Sequence, residues 1–547
     1  MRTGLYNRHL ATLGGGERYS LSIAAELSRQ GPVDVISHSL VSREAVAERL
    51  QLDLGDVRLR VVPERPAAAL TPLTAEYDFF VNASNLDFIP PQSRHSAMVV
   101  YFPYRQQSGS VADLRRRLRR ELAAEFCLPM WREGVYGEAT IGDGPRGVRL
   151  LAPHAVFELP PQASGCKVFF QLRSAVRTVQ QVTVIVDGTP ALSLPVGPQI
   201  FTPCEVYLPS RGSDSGSGRA GLPHTIAIAA GAVGRTAQFA LELREWGVDN
   251  RRNKFYREWF ARRLPGWDSR LLNPQPADII SVAASYSLIW AISQFTQRWV
   301  DRYWGLSSVL LYPPVDVDRF GAPVEVQAMG NAVGKPYILS VGRFFAGQHN
   351  KQHLAMVAAF KRLVDNGLSG WELRLVGGLT PGTAHARYLD QVYAAAQGYP
   401  IHVEASLPFE KLVQRYQQAA VYWHAAGFGE DEERAPIKAE HFGITTVEAM
   451  AAGCAPVVVA RGGQTELVTH GVDGYLWQTL DELGAYTLRL LQDEELRRTM
   501  AAAARRSARR FDHRHFTANL AATLAAAHIS GTRAAAGAGA KLAGERG

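Results

Sequence analysis

Between Tyr337 and Ala460 the chain alternates short apolar runs with helical periods, and no other feature restricts its fold so tightly. Tyr337–Val341, Trp371–Val376, Ile401–Val403, Ala420–His424 and Val457–Ala460 have the length and apolar character of buried strands. Leu354–Asn366, His385–Gln397 and Leu407–Ala419 stand between them as helices. Such alternation requires a parallel sheet with right-handed crossovers. The chain opens in the same order: a strand over Arg2–Tyr6, a glycine loop at Gly14-Gly15-Gly16-Glu17, then a helix whose apolar face is Leu21, Ala24, Ala25 and Leu27. Gly31-Pro32 stops that helix before a strand at Val33–Ser37, and Phe79–Asn82 and Met98–Tyr101 extend the series.

Near residue 131 the pattern changes. Up to about Trp246 the helical period gives way to short alternating runs: Val156–Leu159, Val168–Leu172, Val182–Val186, Thr225–Ile228 and Phe239–Leu243. Asp187-Gly188 marks a turn and Gly212–Gly218 a flexible loop. Short strands without helices point to an antiparallel sandwich inserted into the first α/β unit. The first unit resumes at Asp278–Val282, with Leu288–Ser293, a helix from Gln294 to about Trp304 and a stiff connector at Tyr312–Asp316. The expected fold class is therefore α/β, two Rossmann-like doubly wound domains plus an all-β sandwich. The domains run 1–130, 131–246 (the insertion), 247–330 (the first domain resumed, and connector) and 331–528, with a disordered Ala/Gly-rich tail at 529–547. In open α/β sheets ligands bind at the carboxyl ends of the strands, so two such units facing each other enclose a cleft.

The 547 residues suit several domains, and the hydrophobic fraction of 46% is that of a globular protein. No apolar run reaches the ~18 residues that span a bilayer. Met1–Tyr6 leads directly into a strand, which reads as a chain without a secretory leader. The four cysteines, Cys127, Cys166, Cys204 and Cys454, have no metal-ligand spacing. They read as reduced thiols of a cytoplasmic protein, with a Cys166–Cys204 pair as the alternative. Much of the net charge of +8 sits in Arg115–Arg120 and in Arg505, Arg506, Arg509 and Arg510. Such clusters form solvated faces or peripheral contacts with anionic lipid, which would put the protein at the inner face of the membrane. Nucleic acid is not an expected partner, because no recognition motif accompanies the arginines.

The chemistry concentrates in Glu440-His-Phe-Gly-Ile-Thr-Thr-Val-Glu448, followed by Gly453 and Pro456 as a helix stop. A glycine turn at a helix start offers free amides to an anion, and the helix dipole favours negative charge there. Carboxylates beside it accept hydrogen bonds from hydroxyl groups, so the element suits a sugar nucleotide. Thr445 and Glu448 also have the spacing of a capping box, which would account for Glu448 without a ligand. Glu440 lies outside the helix and has no such alternative. Gly342-Arg343 ends the strand at Val341 and Lys351 follows in the same loop, so both cations belong at the sheet edge that carries Glu440, Gly443 and Glu448. Two cations there answer the charge that builds on a departing diphosphate. His424 ends another strand, as a core residue or a ligand contact. Gly14–Gly16 does not fit GxGxxG, since Tyr19 occupies the last glycine position, which disfavours an oxidoreductase acting on nucleotide sugars.

These residues resemble the retaining GT-B glycosyltransferases of family 4: a Gly-Gly-x-Glu loop (Gly14–Glu17), a Gly-Arg…Lys pair (Gly342, Arg343, Lys351) and two glutamates eight positions apart (Glu440, Glu448). The wording from Ala439 to Gly453 is similar to the branch that includes the mannosyltransferases of dolichol-linked oligosaccharides. The resemblance covers about 1–130 and 246–528. It implies a GT-B fold and transfer from a nucleoside-diphosphate sugar to a glycan or lipid-linked acceptor, without metal or other cofactor and with retention of configuration. It also implies that Arg343 and Lys351 hold the diphosphate, Glu448 the ribose, and Glu440 the reacting face of the sugar. Amides around Phe442, Gly443, Ile444 and Thr445 would meet phosphates and sugar, and Gly16, beside Gly15, would close over the diphosphate. Tyr101 stands where many relatives carry a sugar-binding histidine. The rival reading is a carbohydrate-binding protein on an inactive transferase-like scaffold.

Overall fold

The computed structural model describes residues 1–529 except 65–66, 86, 106–117, 120, 139–148, 177, 211–221, 232–238, 264–278, 323–335 and 380–382. Most of the Arg115–Arg120 run, the Gly212–Gly218 loop and the tail beyond Ile529 thus lie outside the described residues. There are two compact units, one of Met1–Met98 with Arg105–Ser287, the other of Val99–Tyr104 with Leu288–Ile529. The division falls inside the segment 247–330.

In the first unit β1 (Thr3–Tyr6), β2 (Val33–Ser37), β3 (Arg58–Val61), β4 (Phe79–Asn82) and β5 (His95–Val100) form a parallel sheet in the order β5-β4-β1-β2-β3. The Gly15–Ser28 helix crosses from β1 to β2 and buries Leu21, Ile23, Ala24 and Leu27. Gly15 and Gly16 lie in its first turn rather than in a loop. Gly14 is the N-cap, and the Glu17 carboxylate accepts the Gly14 N–H at 2.9 Å and the Thr12 hydroxyl at 2.7 Å. Beyond the ends of β1, β2 and β4 runs a buried polar network the sequence did not reveal, with the Tyr6 hydroxyl 3.0 Å from His38 Nε2 and donating to Asp87 at 3.1 Å. Asp278–Val282 falls partly within a helix, Ile279–Ala284.

The same unit contains the all-β region: β6 (Met130–Glu138), β7 (Arg149–Leu159), β8 (Lys167–Ser174), β9 (Gln180–Val186), β10 (Thr189–Val196), β11 (Thr202–Tyr207), β12 (His224–Ala230) and β13 (Leu241–Val248). It is one antiparallel sheet, ordered β10-β9-β12-β7-β13-β8-β11 with β6 on β7, and not the two sheets of the expected sandwich. The sheet curls until β10 and β11, its ends, approach each other, and it wraps a core that includes Phe157, Phe170, Val184, Ile226 and Leu241. Alternation reports that each strand has one buried face, and that holds equally for two stacked sheets and one curled sheet. At the β9–β10 turn (Asp187 φ 50°, Gly188 φ 83°) the Asp187 carboxylate accepts from His224 Nδ1–H at 2.7 Å, and the Ser164 hydroxyl donates to His224 Nε2 at 2.6 Å. His224 is fully buried, so this relay pins the turn to β12. All four cysteines are free thiols.

In the second unit β14 (Leu288–Ala291) pairs in parallel with β15 (Val309–Leu310), and the Gln294–Trp304 helix lies between them in sequence. Then β16 (Tyr337–Val341), β17 (Glu372–Gly377), β18 (Ile401–Ala405), β19 (Val421–His424), β20 (Ala455–Val459) and β21 (Tyr475–Trp477) build a parallel sheet in the order β18-β17-β16-β19-β20-β21. This is the doubly wound order, with its reversal between β16 and β19. Arg505, Arg506, Arg509 and Arg510 are exposed, as expected of surface charge, and Arg505 and Arg510 also donate to the carbonyls of Ala452, Glu466 and Leu467, fastening the C-terminal helices. Among the described residues no helix is long and apolar enough to cross a membrane.

Candidate active site

The reversal point places the ends of β16 and β19 side by side, and the sequence-selected residues leave from both. After β16 come Gly342, Arg343 and, one loop later, Lys351. A Cβ on Gly342 would lie 2.7 Å from Lys351 Cγ, so glycine there lets the lysine stem fold back over the strand end. β19 ends in His424, and Glu440 follows in the chain.

Lys351 and Glu440 form an ion pair, and His424 Nε2–H donates to the same carboxylate oxygen at 3.0 Å. Burial alone would raise the Glu440 pKa, but the charge of Lys351 and the bond from His424 hold it well below the usual carboxylate range. Its side chain retains 18% exposure, so the carboxylate is anchored without being sealed. His424 is buried, and burial lowers its pKa against the pull of Glu440. Its Nδ1 has no hydrogen-bond partner among the described residues. The Glu440 carbonyl accepts from Gly463 N–H at 2.7 Å, and a Cβ on Gly462 (φ +58°) would stand 2.2 Å from that oxygen. The Gly462-Gly463 pair, which the sequence reading passed over, thus holds the Glu440 backbone.

The following helix spans Ile444–Ala452 with Gly443 (φ 110°) as N-cap and Gly453 (φ 87°) as C-cap. Gly443 has no side chain to cap with, and only Thr446 and Val447 bond back to its carbonyl. The amides of Ile444 and Thr445 therefore have no acceptor among the described residues, at the positive end of a helix dipole. The capping box does not form. Thr445 sits inside the first turn, its hydroxyl accepting from Tyr422 at 2.9 Å, while Glu448 accepts from Tyr416 at 2.8 Å. Gln464, also missed, packs below this turn. Its Oε1 accepts from the Thr446 hydroxyl at 2.8 Å, and its buried Nε2 has no partner among the described residues.

Lys351, Glu440 and His424 are thus brought into contact, with the open helix start following in the chain. Arg343 is exposed on the same loop; burial lowers the pKa of His385 and His349, and the charge of Arg343 adds to it, after that of Lys351 in the case of His349. Glu448 is only 7% exposed and bonded to Tyr416. The Phe442 ring is core, against Tyr312 and Phe511, leaving its backbone for any ligand. Gly15 and Gly16 belong to the other unit. Tyr101 uses its carbonyl to accept from Thr296 at 3.1 Å. Phe102, next to it, stacks on His441 at 4.5 Å, and His349 meets the edge of that ring at 5.2 Å. This aromatic shelf under Glu440 had no periodic signal in the sequence. Among the described residues no three His, Cys, Asp or Glu side chains are grouped to hold a metal.

Residues 324–507 match the family described as "Glycosyl transferases group 1". The GDP-Man:Man(3)GlcNAc(2)-PP-Dol alpha-1,2-mannosyltransferase of Xenopus laevis is 25% identical over 260 residues, 45% of this chain and 48% of that protein. The Dictyostelium discoideum protein of the same name is 28% identical over 239 residues, 42% of this chain and 44% of that protein. The chain therefore spans about half the length of these curated relatives. Among solved structures, Anabaena Alr3699/HepE in complex with UDP and glucose superposes with a TM-score of 0.51 at 12% identity, over 96% of this chain and 99% of that one. That likeness is one of fold.

Proposed function

We propose that the chain is a retaining, metal-independent GT-B glycosyltransferase of the family 4 type, moving a hexose from a nucleoside-diphosphate sugar to a hydroxyl of a glycan or lipid-linked glycan. The observation that carries this reading is the Lys351–Glu440–His424 contact at the reversal point of a doubly wound sheet, in a segment that matches group 1 glycosyl transferases. The diphosphate lies at the Gly443 helix start, where the Ile444 and Thr445 amides donate to its oxygens. As the glycosidic bond breaks, negative charge grows on the leaving oxygen. Arg343 and Lys351 answer it, and Lys351 spends only one of its three donors on Glu440. Glu440, held ionised, accepts hydroxyls of the transferred sugar and fixes its reacting face, and His424 aims the carboxylate. Glu448 takes the ribose hydroxyls by exchanging or sharing its bond to Tyr416. Relatives acting on dolichol-linked glycans support a mannosyl donor and a lipid-linked acceptor as the first pair to assay. The intact charge set does not favour a purely carbohydrate-binding role.

The test is turnover of GDP-mannose and UDP-, ADP- and TDP-sugars, with and without acceptor glycans. Release of nucleoside diphosphate that disappears in Lys351→Ala is the expected result. Turnover that survives Lys351→Ala and Glu440→Gln unchanged overturns the assignment.

A further inference from the structure

The helical run Arg251–Arg263 in the first unit has a face that no other described residue covers. Tyr256 and Phe260 turn inward onto Leu128, Phe126 and Leu122. Phe255 and Trp259 turn outward, 48% and 40% exposed, with their rings stacked at 5.1 Å and 18°. Two large aromatics one turn apart in water are unfavourable unless something covers them. The charges around them are one-sided. Arg251, Arg252, Lys254, Arg257, Arg262 and Arg263 share the run with a single acid, Glu258. Arg252 is paired with Glu125, and the Arg257 guanidinium lies over Phe169. Arg251, Lys254 and Arg263 remain exposed with no carboxylate partner among the described residues, and the Arg263 guanidinium lies 5.3 Å from the Trp259 ring centre.

We propose that this face docks the protein on an anionic lipid surface, with Phe255 and Trp259 entering the headgroup–acyl boundary and Arg251, Lys254 and Arg263 meeting lipid phosphates. Aromatic side chains prefer that boundary, and neighbouring cations add attraction to anionic headgroups. Aromatic and arginine side chains also mark protein interfaces, so a protein partner is carried as the alternative outcome of the test. The inference rests on the lipid-linked acceptor of the proposed function, which would reach the enzyme from such a surface. It also differs from the arginine clusters at 115–120 and 505–510, of which Arg505 and Arg510 are tied into the fold.

The experiment is flotation of the full chain with vesicles of phosphatidylcholine alone and of phosphatidylcholine with 30% phosphatidylglycerol. The expected result is binding to the anionic vesicles only, weakened about tenfold in Phe255→Ser/Trp259→Ser and in Arg251→Glu/Lys254→Glu, each with an unchanged melting temperature. Transfer to a water-soluble acceptor stays at the parent rate in both. Vesicle binding that is equal in parent and variants overturns the proposal, as does binding that ignores lipid charge. Loss of a dimer in the aromatic variant, with no vesicle binding by the parent, assigns the face to a second copy instead. Failure of the transfer reading is distinct: no turnover by parent or variants, whatever the vesicles show.

Discussion

Among the described residues two buried histidines meet a carboxylate, and they differ in how many ring nitrogens are satisfied. In the curled sheet, His224 spends both ring nitrogens, one on Asp187 and one on Ser164. At the end of β19, His424 spends one on Glu440 and leaves Nδ1 unpartnered among the described residues. A closed network is what packing produces when the only requirement is to satisfy buried polar atoms. A buried nitrogen without a partner costs the fold about 1–3 kcal/mol and persists where another requirement maintains it. The relay at the β9–β10 turn is closed, and the open His424 nitrogen fits the role proposed for His424 beside Glu440.

The largest expected effect falls on the carboxylate that His424 serves. Glu440→Gln and Lys351→Ala should each lower transfer by about a hundredfold or more, read as kcat/KM for the donor below the melting point of each variant. Lys351→Ala should also lower the melting temperature, because Glu440 loses its counter-charge. The sheet relay should respond in the opposite sense. His224→Ala leaves Asp187 and Ser164 without their partner and should cost about 2 kcal/mol in denaturant unfolding, while kcat below the melting point stays at the parent value. Loss of turnover in a folded His224→Ala protein would erase the distinction between the two histidines.

Acid should sharpen the comparison. Burial depresses the pKa of His353 and His441 to about 3 and that of His38 to about 4, and it also lowers His349 and His424. Above pH 6.5 neither the folded nor the unfolded chain binds these protons, so the shifts contribute nothing. Below it the unfolded chain takes them up first, and stability falls until the folded values are reached. At pH 5 each of the three strongly shifted rings costs about 2 kcal/mol. The melting temperature should therefore drop steadily between pH 6.5 and 4, and a flat profile would contradict the burial of these rings. The smallest effect belongs to His424→Phe, which keeps a ring but removes both nitrogens. Transfer should fall about tenfold as Glu440 loses its guide, while the melting temperature changes little, because the bond lost by Glu440 offsets removal of the orphan nitrogen.

Much of the second unit was legible because its signals are local. Buried strands of a parallel sheet need no alternation, so runs such as Tyr337–Val341 and Val421–His424 declare themselves, whereas the three-residue β21 (Tyr475–Trp477) is too short to do so. Gly443 and Gly453 bracket a helix by their left-handed backbone, which a residue-by-residue reading can anticipate. The capping box failed because Thr445 and Glu448 were judged by spacing, while Tyr422 and Tyr416, on the neighbouring strand and helix, claimed both side chains. Gln464, the Gly462-Gly463 support and the His441 shelf act across sequence gaps and leave no periodic trace.

The sequence by itself determined the alternation of strand and helix, the all-β character of the middle region and the residue types of the Lys351–Glu440 site, because each rests on neighbouring residues and their hydropathy. Only the tertiary structure decided that eight strands form one curled sheet, that His424 shares an oxygen of Glu440 with Lys351, and that Phe255 and Trp259 remain outside while Tyr256 and Phe260 go in. Those outcomes depend on which distant surfaces compete for the same side chain, and that competition is settled in three dimensions.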